Sequence, residues 1–260
     1  MAQHFEKYHG TGNDFILLRG EGPRQIWESA RVARACSRHT GIGADGLMIL
    51  WAVDGADFHL DYYNADGGLG SLCGNGSRCA VDFAFRHGLF VGEICHFFAS
   101  DGLHQAERHS ADQIKVHFSN ASHLHAQHQG FYVHTGSPHH LCFVENVDAI
   151  DLAVDGPSLR YGPYAAAGGA NINWLSPTGT EGAWQIRTYE RGVEAETLSC
   201  GTGAVAGALA LHQYHGLPSP ITIEARGGRL RVDFNKEGEW FSNIRLTGPA
   251  VFIFEGVWLW

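Results

Sequence analysis

The sequence has few prolines, few basic residues and no long apolar run. Only 8 of its 260 residues are proline while 34 are glycine, which predicts tight turns and close backbone approaches rather than a disordered linker. The 18 Lys and Arg against 27 Asp and Glu give a formal charge of −9, which argues against nucleic acid and anionic membranes as partners. No apolar run reaches the length of a membrane span, and residues 1–14 lack a signal-peptide core. We therefore expect a cytoplasmic protein with no membrane partner.

Cysteine is also sparse, since six residues in a chain of this length cannot form a disulfide framework and none make a Cys-x-x-Cys pair. We expect reduced thiols, some of them present for their chemistry. Histidine is abundant, with 17 residues, and His123, His125 and His128 lie close in sequence. No carboxylate or cysteine pattern surrounds them, so we interpret residues 123–128 as a solvated surface loop and expect no metal site.

One pattern occurs twice in the chain. Residues 61–89 and 187–217 align when Cys73 is placed on Cys200. Each cysteine is followed by a glycine, a polar residue, a second glycine and a small residue, and then by an apolar segment with helical spacing. Each segment stops at His-Gly-Leu, where the glycine is suited to end a helix. The repeat predicts two pseudo-symmetric domains with one cysteine each, and a ligand site at their interface.

The rest of the chain predicts many strands and one further helix, from Trp27 to His39. The predicted strands are 47–53, 58–63, 94–99, 114–118, 131–134, 140–144, 172–175, 185–189, 221–225, 230–234 and 251–254. Residues 96–103 and 222–230 each predict a β-hairpin. The C-terminal segment is too apolar to lie free in water, so we expect an N-terminal domain of residues 1–118 completed by a strand within 248–260. Residues 119–247 would form the second domain.

The two cysteines are placed for proton transfer. A helix start offers unpaired N–H groups and a partial positive charge, which favour a thiolate and also bind a substrate carboxylate. If Cys73 and Cys200 lie on opposite faces of an amino acid, one thiolate can remove the α-proton while the other thiol delivers a proton to the opposite face. The helix starts would stabilise the charge that develops on the carboxylate. No lysine stands out as an anchor for pyridoxal phosphate, and we expect no cofactor. We interpret Cys36, Cys79, Cys95 and Cys142 as small buried hydrophobic residues.

With these residues identified, the chain resembles the diaminopimelate epimerase family over its whole length. The matching segments, in order, are HGTGNDF (9–15), GIGADG (41–46), NADG with LCGNG (64–76), GSPH (136–139), GANIN (169–173), YERG (189–192) and SCGTGA (199–204). The resemblance implies an α+β fold in which each domain is a curved, mainly antiparallel sheet or barrel around a central helix. It also implies a homodimer, and interconversion of LL- and meso-diaminopimelate for lysine and peptidoglycan precursor synthesis.

The resemblance further implies roles for particular residues. Arg191 would bind the distal carboxylate of the substrate as a fork, and Glu190 an ammonium group. The other implied contacts are the amides of Asn13, Asn64 and Asn171, and the backbone N–H groups of Gly74, Asn75, Gly201 and Thr202 around the reacting carboxylate. His139 is a candidate site-lining residue.

Two positions depart from the family pattern, and other functions stay open. Gly46 stands where some family members have Gln, and Ser137 replaces the Asn that precedes Pro-His, which puts contacts at that end of the substrate in doubt. A racemase of proline, hydroxyproline or histidine on the same fold is the nearest alternative. Proline racemases show Cys-Gly-His-Gly at the first cysteine, whereas this chain has Cys-Gly-Asn-Gly. A thiol redox or metal protein would need cysteines close in sequence, and a binding module would not need both cysteines.

Overall fold

A computed structural model describes residues 2–70, 73–179 and 182–259, so Trp260 at the end of the C-terminal segment lies outside it. Its strands are β1 (Ala2–Gly10), β2 (Asn13–Arg19), β3 (Gly46–Trp51), β4 (Phe58–Asn64), β5 (Ile94–Ala99), β6 (Gly102–Ser110), β7 (Gln113–Phe118), β8 (Ala121–Ser122), β9 (His125–Gln127), β10 (Gly130–His134), β11 (Pro138–Phe143), β12 (Asn171–Pro177), β13 (Trp184–Glu190), β14 (Ala195–Thr197), β15 (Ile221–Ala225), β16 (Gly228–Glu237), β17 (Trp240–Gly248) and β18 (Val251–Leu259). The α-helices are α1 (Ser29–Cys36), α2 (Gly74–Arg86), α3 (Leu152–Tyr161) and α4 (Gly201–His215). None of the helices in the described ranges is long and apolar enough to cross a membrane.

The chain divides into two compact units, residues 1–116 with 248–260, and residues 117–247. In the first unit, β1 and β2 pair antiparallel, and α1 then connects β2 to the parallel strand β3. After the antiparallel pair β3–β4, helix α2 connects β4 to the parallel strand β5, and β5, β6 and β7 follow as antiparallel neighbours. The last strand, β18, pairs antiparallel with β1.

The second unit repeats this order of connections. Strands β10 and β11 pair antiparallel, α3 leads to the parallel strand β12, and β12 pairs antiparallel with β13. Helix α4 then leads to β15, which is parallel to β13, and β15, β16 and β17 follow antiparallel. The repeat in the structure is therefore longer than the repeat visible in the sequence. The register makes Asn13, Gly46 and Asn64 of the first unit equivalent to Ser137, Asn171 and Glu190 of the second.

Each unit contains one helix that is buried over most of its length. Every residue of α2 from Gly74 to Ala84 is buried, and the helix packs against β1, β2, β3 and β6. In α4 the residues from Gly203 to Leu211 are buried, and the helix packs against β10 to β13, β15 and β16. Helix α4 is almost entirely apolar, as expected for a helix inside a core, whereas α2 also buries the charged residues Arg78 and Asp82. The burial of these two helices fixes the positions of the cysteines immediately before them.

The α+β class is confirmed, and the predicted hairpins are present as β5–β6 and β15–β16. Sequence patterns missed β1, β2, β8, β14, β17 and α3, and all of β6 beyond the hairpin turn. Helix α3 contains Gly156 and Pro157, which argue against a helix in the sequence. A glycine is nonetheless needed at position 156, because a Cβ there would lie 2.4 Å from the ring of Tyr189.

The interpretation of residues 123–128 as a loop was wrong in part. Residues 125–127 form the short strand β9, which pairs with β10. Backbone hydrogen bonds to a neighbouring strand replace those to water, although the side chains of this strand stay exposed. Sequence alternation carries no signal for so short an edge strand.

Candidate active site

Cys73 is the N-cap residue of α2. Its backbone is extended, with φ −106° and ψ 115°, and the helix begins at the next residue. The sulfur accepts a hydrogen bond from the backbone N–H of Gly76 at 3.5 Å and lies 3.6 Å from Oδ1 of Asn13, to which the thiol donates. The amides of Gly74 and Asn75 lie in the first helical turn, where an α-helix supplies no carbonyl partners. A thiol, an amide side chain and a helix start therefore meet at one point of the first unit.

Cys200 occupies the same position at the start of α4. Its backbone is again extended, with φ −118° and ψ 114°, and the residue is 7% exposed. Its sulfur lies 3.4 Å from the hydroxyl of Thr202, and the carbonyl of Thr202 accepts a hydrogen bond from the hydroxyl of Thr135 at 2.9 Å. A Cβ at Gly203 would lie 2.7 Å from Oδ1 of Asn173 and 3.4 Å from the Cys200 sulfur. This close approach explains why the second glycine of the motif is required here.

The side chain of Asn13 is oriented by Asp45, which belongs to the GIGADG motif. Nδ2 of Asn13 donates to the Asp45 carboxylate at 2.8 Å, so its Oδ1 is the atom left facing Cys73. Arg38 bridges the carboxylates of Asp45 and Asp14 with hydrogen bonds of 2.6 and 2.8 Å, and the buried Lys7 also pairs with Asp14. The sequence had marked the motif but assigned Asp45 no role. Its position identifies it as the residue that holds Asn13.

We expect Asp14→Asn to destabilise the protein in a pH-dependent way. Burial alone would raise the pKa of Asp14, but hydrogen bonds from Arg38 and Lys7 outweigh it and lower the pKa from 3.8 to about 2. Because the folded-state pKa is depressed, the stabilisation is present above the unfolded value and is lost as the pH falls through the folded value. It amounts to roughly 2 kcal/mol.

Urea unfolding across acid to neutral pH measures this difference. The deficit of the variant should be full at neutral pH and should shrink between about pH 4 and pH 2 as the native carboxyl is protonated. Asp112→Asn, in the exposed turn between β6 and β7, is the control and should match the native protein throughout. A deficit that stays constant over the acid range would contradict the proposed charge pairing.

Asn64 and Asn75, two further marked residues of the first unit, differ in burial. Asn64 ends β4 and is exposed, with its backbone N–H bonded to the carbonyl of Gly68 at 2.8 Å. Asn75 is 1% exposed, and its Oδ1 accepts from the guanidinium of Arg78 at 3.1 Å. The Asn75 side chain thus points into the protein interior, which agrees with its implied role as a backbone donor.

In the second unit, Asn171 joins three of the marked segments. Its Nδ2 donates to the Ser137 hydroxyl at 2.9 Å and to the carbonyl of Pro138, while its Oδ1 accepts from the backbone N–H of Arg191 at 2.9 Å. Ser137, the departure from the family pattern, thus contacts Asn171 directly. These bonds fix the strand end from which Glu190 and Arg191 project.

Glu190 and Arg191 differ in how they are held. A Glu190 carboxylate oxygen accepts from the hydroxyl of Thr197 at 2.7 Å. The Arg191 side chain is exposed, and its guanidinium forms no hydrogen bond or ion pair with any residue in the described ranges. Its fork of N–H donors is therefore free to take a ligand carboxylate.

His139 lies on β11 and is fully buried. Burial lowers its pKa to about 3, so the imidazole is neutral at physiological pH. Its Nδ1 lies 3.2 Å from Nδ2 of Asn173, and that amide also donates to the carbonyls of His140 and Asn171. Asn173 was missed because nothing in the sequence distinguishes it from Asn171 two residues earlier. Its Oδ1 accepts from the Thr188 hydroxyl at 2.9 Å and lies beside Gly203, close to the turn that carries Cys200.

The remaining four cysteines have surroundings unlike those of Cys73 and Cys200. Cys36, Cys79 and Cys95 are buried, and desolvation raises the pKa of each thiol, to about 12 for Cys36. Cys142 is partly exposed, with its sulfur 3.1 Å from Nε2 of His140, and burial raises its pKa to about 11. These values keep the four thiols protonated, and a protonated thiol is a poor base.

Known proteins resemble the chain along its full length. The family model for diaminopimelate epimerase matches residues 5–124 and 131–253. The diaminopimelate epimerase of Flavobacterium psychrophilum is 42% identical over 253 residues, covering 96% of this chain and 97% of its own length. That of Chlorobaculum tepidum is 38% identical over 255 residues, covering 95% of this chain and 98% of its own.

Solved structures share the fold at low identity. A phenazine biosynthesis protein of the PhzF family from Bacillus anthracis superposes with a TM-score of 0.79 at 15% identity, with full coverage of both chains. A hydroxyproline epimerase from Agrobacterium vitis, with bound trans-4-hydroxy-L-proline, gives a TM-score of 0.70 at 12% identity over 98% of this chain and 92% of its own. The sequence matches, which cover both units and both cysteine motifs, are far closer, and this chain belongs to the diaminopimelate epimerase family.

Proposed function

We propose that this protein interconverts LL- and meso-diaminopimelate, in lysine and peptidoglycan precursor synthesis, using two cysteines and no cofactor. The observation that carries the proposal is the equivalence of Cys73 and Cys200. Each is the N-cap of the buried helix of its unit, and the two units have the same order of connections. A reaction that inverts a carbon centre needs a base on one face and an acid on the other. Two equivalent thiols, one from each repeat, supply that pair.

In the proposed reaction, one cysteine is a thiolate and the other a thiol. The thiolate takes the α-proton, forming an S–H bond as the Cα–H bond breaks, and the electron pair is delocalised onto the substrate carboxylate. The second thiol then donates its proton to the opposite face of the carbon. Backbone N–H groups of Gly74, Asn75, Gly201 and Thr202 would bind the carboxylate, where the helix dipole also favours negative charge. Because the charge grows in the transition state, these donors accelerate the reaction rather than only tightening binding.

The substrate assignment depends on the distal end of the ligand. Diaminopimelate carries an amino acid group at each end, and one end must be held while the other reacts. The guanidinium of Arg191, which has no partner in the described part of the chain, suits the distal carboxylate, and Glu190 suits an ammonium group. Asn13, Asn64 and Asn171 would orient the remaining polar groups, and His139 would support this site through Asn173. Proline and hydroxyproline offer no second carboxylate, which makes a racemase of those amino acids the weaker alternative.

A substrate panel separates the two assignments. We expect chiral chromatography to detect conversion of LL-diaminopimelate to the meso form, with reductant present and no pyridoxal phosphate. Proline, hydroxyproline and histidine should be unchanged under the same conditions. Racemisation of one of these three amino acids, with diaminopimelate unchanged, would be consistent with the two-thiol chemistry but would overturn the assignment of diaminopimelate as the substrate.

We further propose that the protein acts in the cytoplasm, where its substrate is made, and that it is a homodimer. Strand β18 supports the second statement, because Val251, Phe252, Ile253 and Phe254 are each 37–47% exposed on a strand at the side of the sheet. Large apolar side chains left exposed along one strand are typical of an interface between protein chains. Sedimentation of the protein at micromolar concentration should give the mass of two chains, and a monomer would refute the dimer.

A further inference from the structure

The helix that follows Cys73 contains a cation enclosed in the protein interior. Arg78 is 0% exposed, in the second turn of α2. Its Nε donates to the carbonyl of Pro249 at 3.1 Å and its Nη1 to the carbonyl of Gly74 at 3.2 Å. Its Nη2 donates to the Thr11 hydroxyl and to Oδ1 of Asn75, both at 3.1 Å. Each of these acceptors is neutral.

A buried charge is normally matched by an opposite charge, because desolvation disfavours it strongly. No ion pair to Arg78 occurs among the residues that the structure describes. Burial lowers its pKa to about 10, and the nearby sulfurs of Cys79 and Cys73 oppose this shift, so the guanidinium remains charged at neutral pH. Cys79 is fully buried, and burial holds its thiol in the neutral form. Cys73 is the nearby group that can supply a negative charge by losing its proton.

The equivalent position in the second unit has no charge. Arg78 follows Cys73 by five residues, and the residue five positions after Cys200 is Val205, which is also fully buried. The backbones of the two cysteine turns match, as the cap angles of the two helices show. The repeat is therefore symmetric in backbone and asymmetric in charge.

Other charged groups face this region of the first unit but are matched among themselves. Asp82 accepts from Arg108 at 2.9 Å and from the Tyr8 hydroxyl at 3.2 Å. Asp14 and Asp45, beside Asn13, are paired with Lys7 and Arg38. At the sulfur itself, the Gly76 N–H favours a thiolate and Oδ1 of Asn13 favours a thiol, and both contacts are long. Among the described charged groups of this region, Arg78 is therefore the one whose charge is not matched by an opposite charge.

We propose that Arg78 is a positioning residue that favours the thiolate at Cys73 over the thiolate at Cys200, so that Cys73 is the base and Cys200 the acid in the resting enzyme. This inference rests on the proposed function in one respect, namely that both thiols take part in proton transfer. It also assigns Arg78 a mechanical role, because its hydrogen bonds connect the cysteine turn to Thr11 and to Pro249. A Cβ at Gly10 would lie 3.3 Å from Nη2 of Arg78 and 2.7 Å from the carbonyl oxygen of Asn75, which explains the first glycine of the HGTGN segment.

Alkylation by iodoacetamide as a function of pH tests the inference without substrate. Only thiolates react, so the midpoint of the rate profile reports the ionisation of each thiol. Each cysteine is measured by peptide mass spectrometry in the absence of the other, Cys73 in Cys200→Ala and Cys200 in Cys73→Ala, because coupled thiols do not have separate titrations. We expect the Cys73 midpoint to lie about one pH unit below the Cys200 midpoint. Equal midpoints, or a lower one for Cys200, would overturn the proposal.

Variants at Arg78 then assign the cause. Arg78→Met, made in the Cys200→Ala protein, should raise the Cys73 midpoint by about one pH unit, whereas Arg78→Lys, which keeps the charge, should leave it near the native value. Made in the Cys73→Ala protein, Arg78→Met should leave the Cys200 midpoint unchanged. Arg86→Met, in the last turn of the same helix, is the matched control and should shift neither midpoint. A folded Arg78→Met protein with an unshifted Cys73 would refute the electrostatic role.

Two other outcomes are also decisive. If Arg78→Met does not fold, the comparison of the two single-thiol proteins, which requires no change at Arg78, still tests which thiol ionises first, and Arg78→Lys still tests the charge. If the midpoints differ as expected but diaminopimelate is not epimerised, the inference about the thiols holds and the proposed function fails. If diaminopimelate is epimerised but the midpoints are equal, the proposed function holds and the inference about Arg78 fails.

Discussion

Cys73→Ala and Cys200→Ala each abolish epimerisation, with a loss of at least about 10³-fold in kcat, because each removes one of two proton-transfer groups. The variants are also expected to retain a diagnostic partial reaction. With one thiol left, a proton can be removed and returned on the same face, so exchange with solvent continues slowly without inversion. Each variant should exchange a different isomer. Nuclear magnetic resonance in deuterated water measures exchange and inversion in the same sample.

Cys95→Ala is the matched control for these substitutions. Cys95 is buried in β5, and its raised pKa keeps the thiol neutral. Removing a small buried side chain should cost about 1 kcal/mol of stability and leave kcat within about twofold. A substantial rate of inversion in either Cys73→Ala or Cys200→Ala would exclude the two-thiol mechanism.

Arg191→Met lowers kcat/KM for diaminopimelate by about 10²-fold or more, because it removes a forked, charge-assisted contact to the distal carboxylate. We expect both parameters to change. KM rises because binding is lost, and kcat falls because the distal contact also holds the reacting carbon between acid and base. Steady-state kinetics with LL-diaminopimelate measures both, and Arg191→Lys should recover only part of the loss, since ammonium lacks the planar fork.

Arg229→Met provides the comparison for Arg191. Arg229 is exposed on β16 and pairs with Glu224 across the hairpin, far from any marked motif in sequence. Its loss should leave the fold intact, since surface ion pairs contribute little to stability, and kcat/KM should therefore be unchanged. If Arg191→Met retained kcat/KM within about threefold, the distal carboxylate would have to be bound elsewhere.

The sequence predicted the positions of the two helix starts well and the rest of the fold unevenly. Cys-Gly-x-Gly followed by an apolar helical stretch is a local signal, and α2 and α4 begin where it predicts. Strands with clear apolar runs, such as β3 and β15, were also predicted close to their bounds. By contrast, β1 reads AQHFEKYHG and buries Glu6 and Lys7, which are paired inside the protein with Arg86 of α2 and Asp14 of β2. No local pattern can anticipate a charged residue whose partner is supplied by another element.

The same limit applied to the candidate site. Asp45 and Asn173 act on neighbouring side chains through hydrogen bonds that exist only after folding. Arg78 was inside the first copy of the repeat, yet alignment of the cysteines gave it no significance. A sequence repeat emphasises what two copies share, whereas Arg78 and Val205 are informative because they differ. The structure adds that Arg78 is fully buried and that all of its hydrogen-bond acceptors are neutral.

Early-time deuterium incorporation is the most direct test of the two-thiol mechanism. LL-diaminopimelate is incubated with the protein in deuterated water, with reductant and no added cofactor, and both isomers are examined before equilibrium. We expect one α-carbon of the meso product to carry deuterium while the remaining LL substrate carries almost none, because one thiol retains the substrate proton as the other delivers a solvent deuteron. Product formed without deuterium, or substrate labelled as fast as product, would contradict a reaction in which Cys73 and Cys200 act on opposite faces.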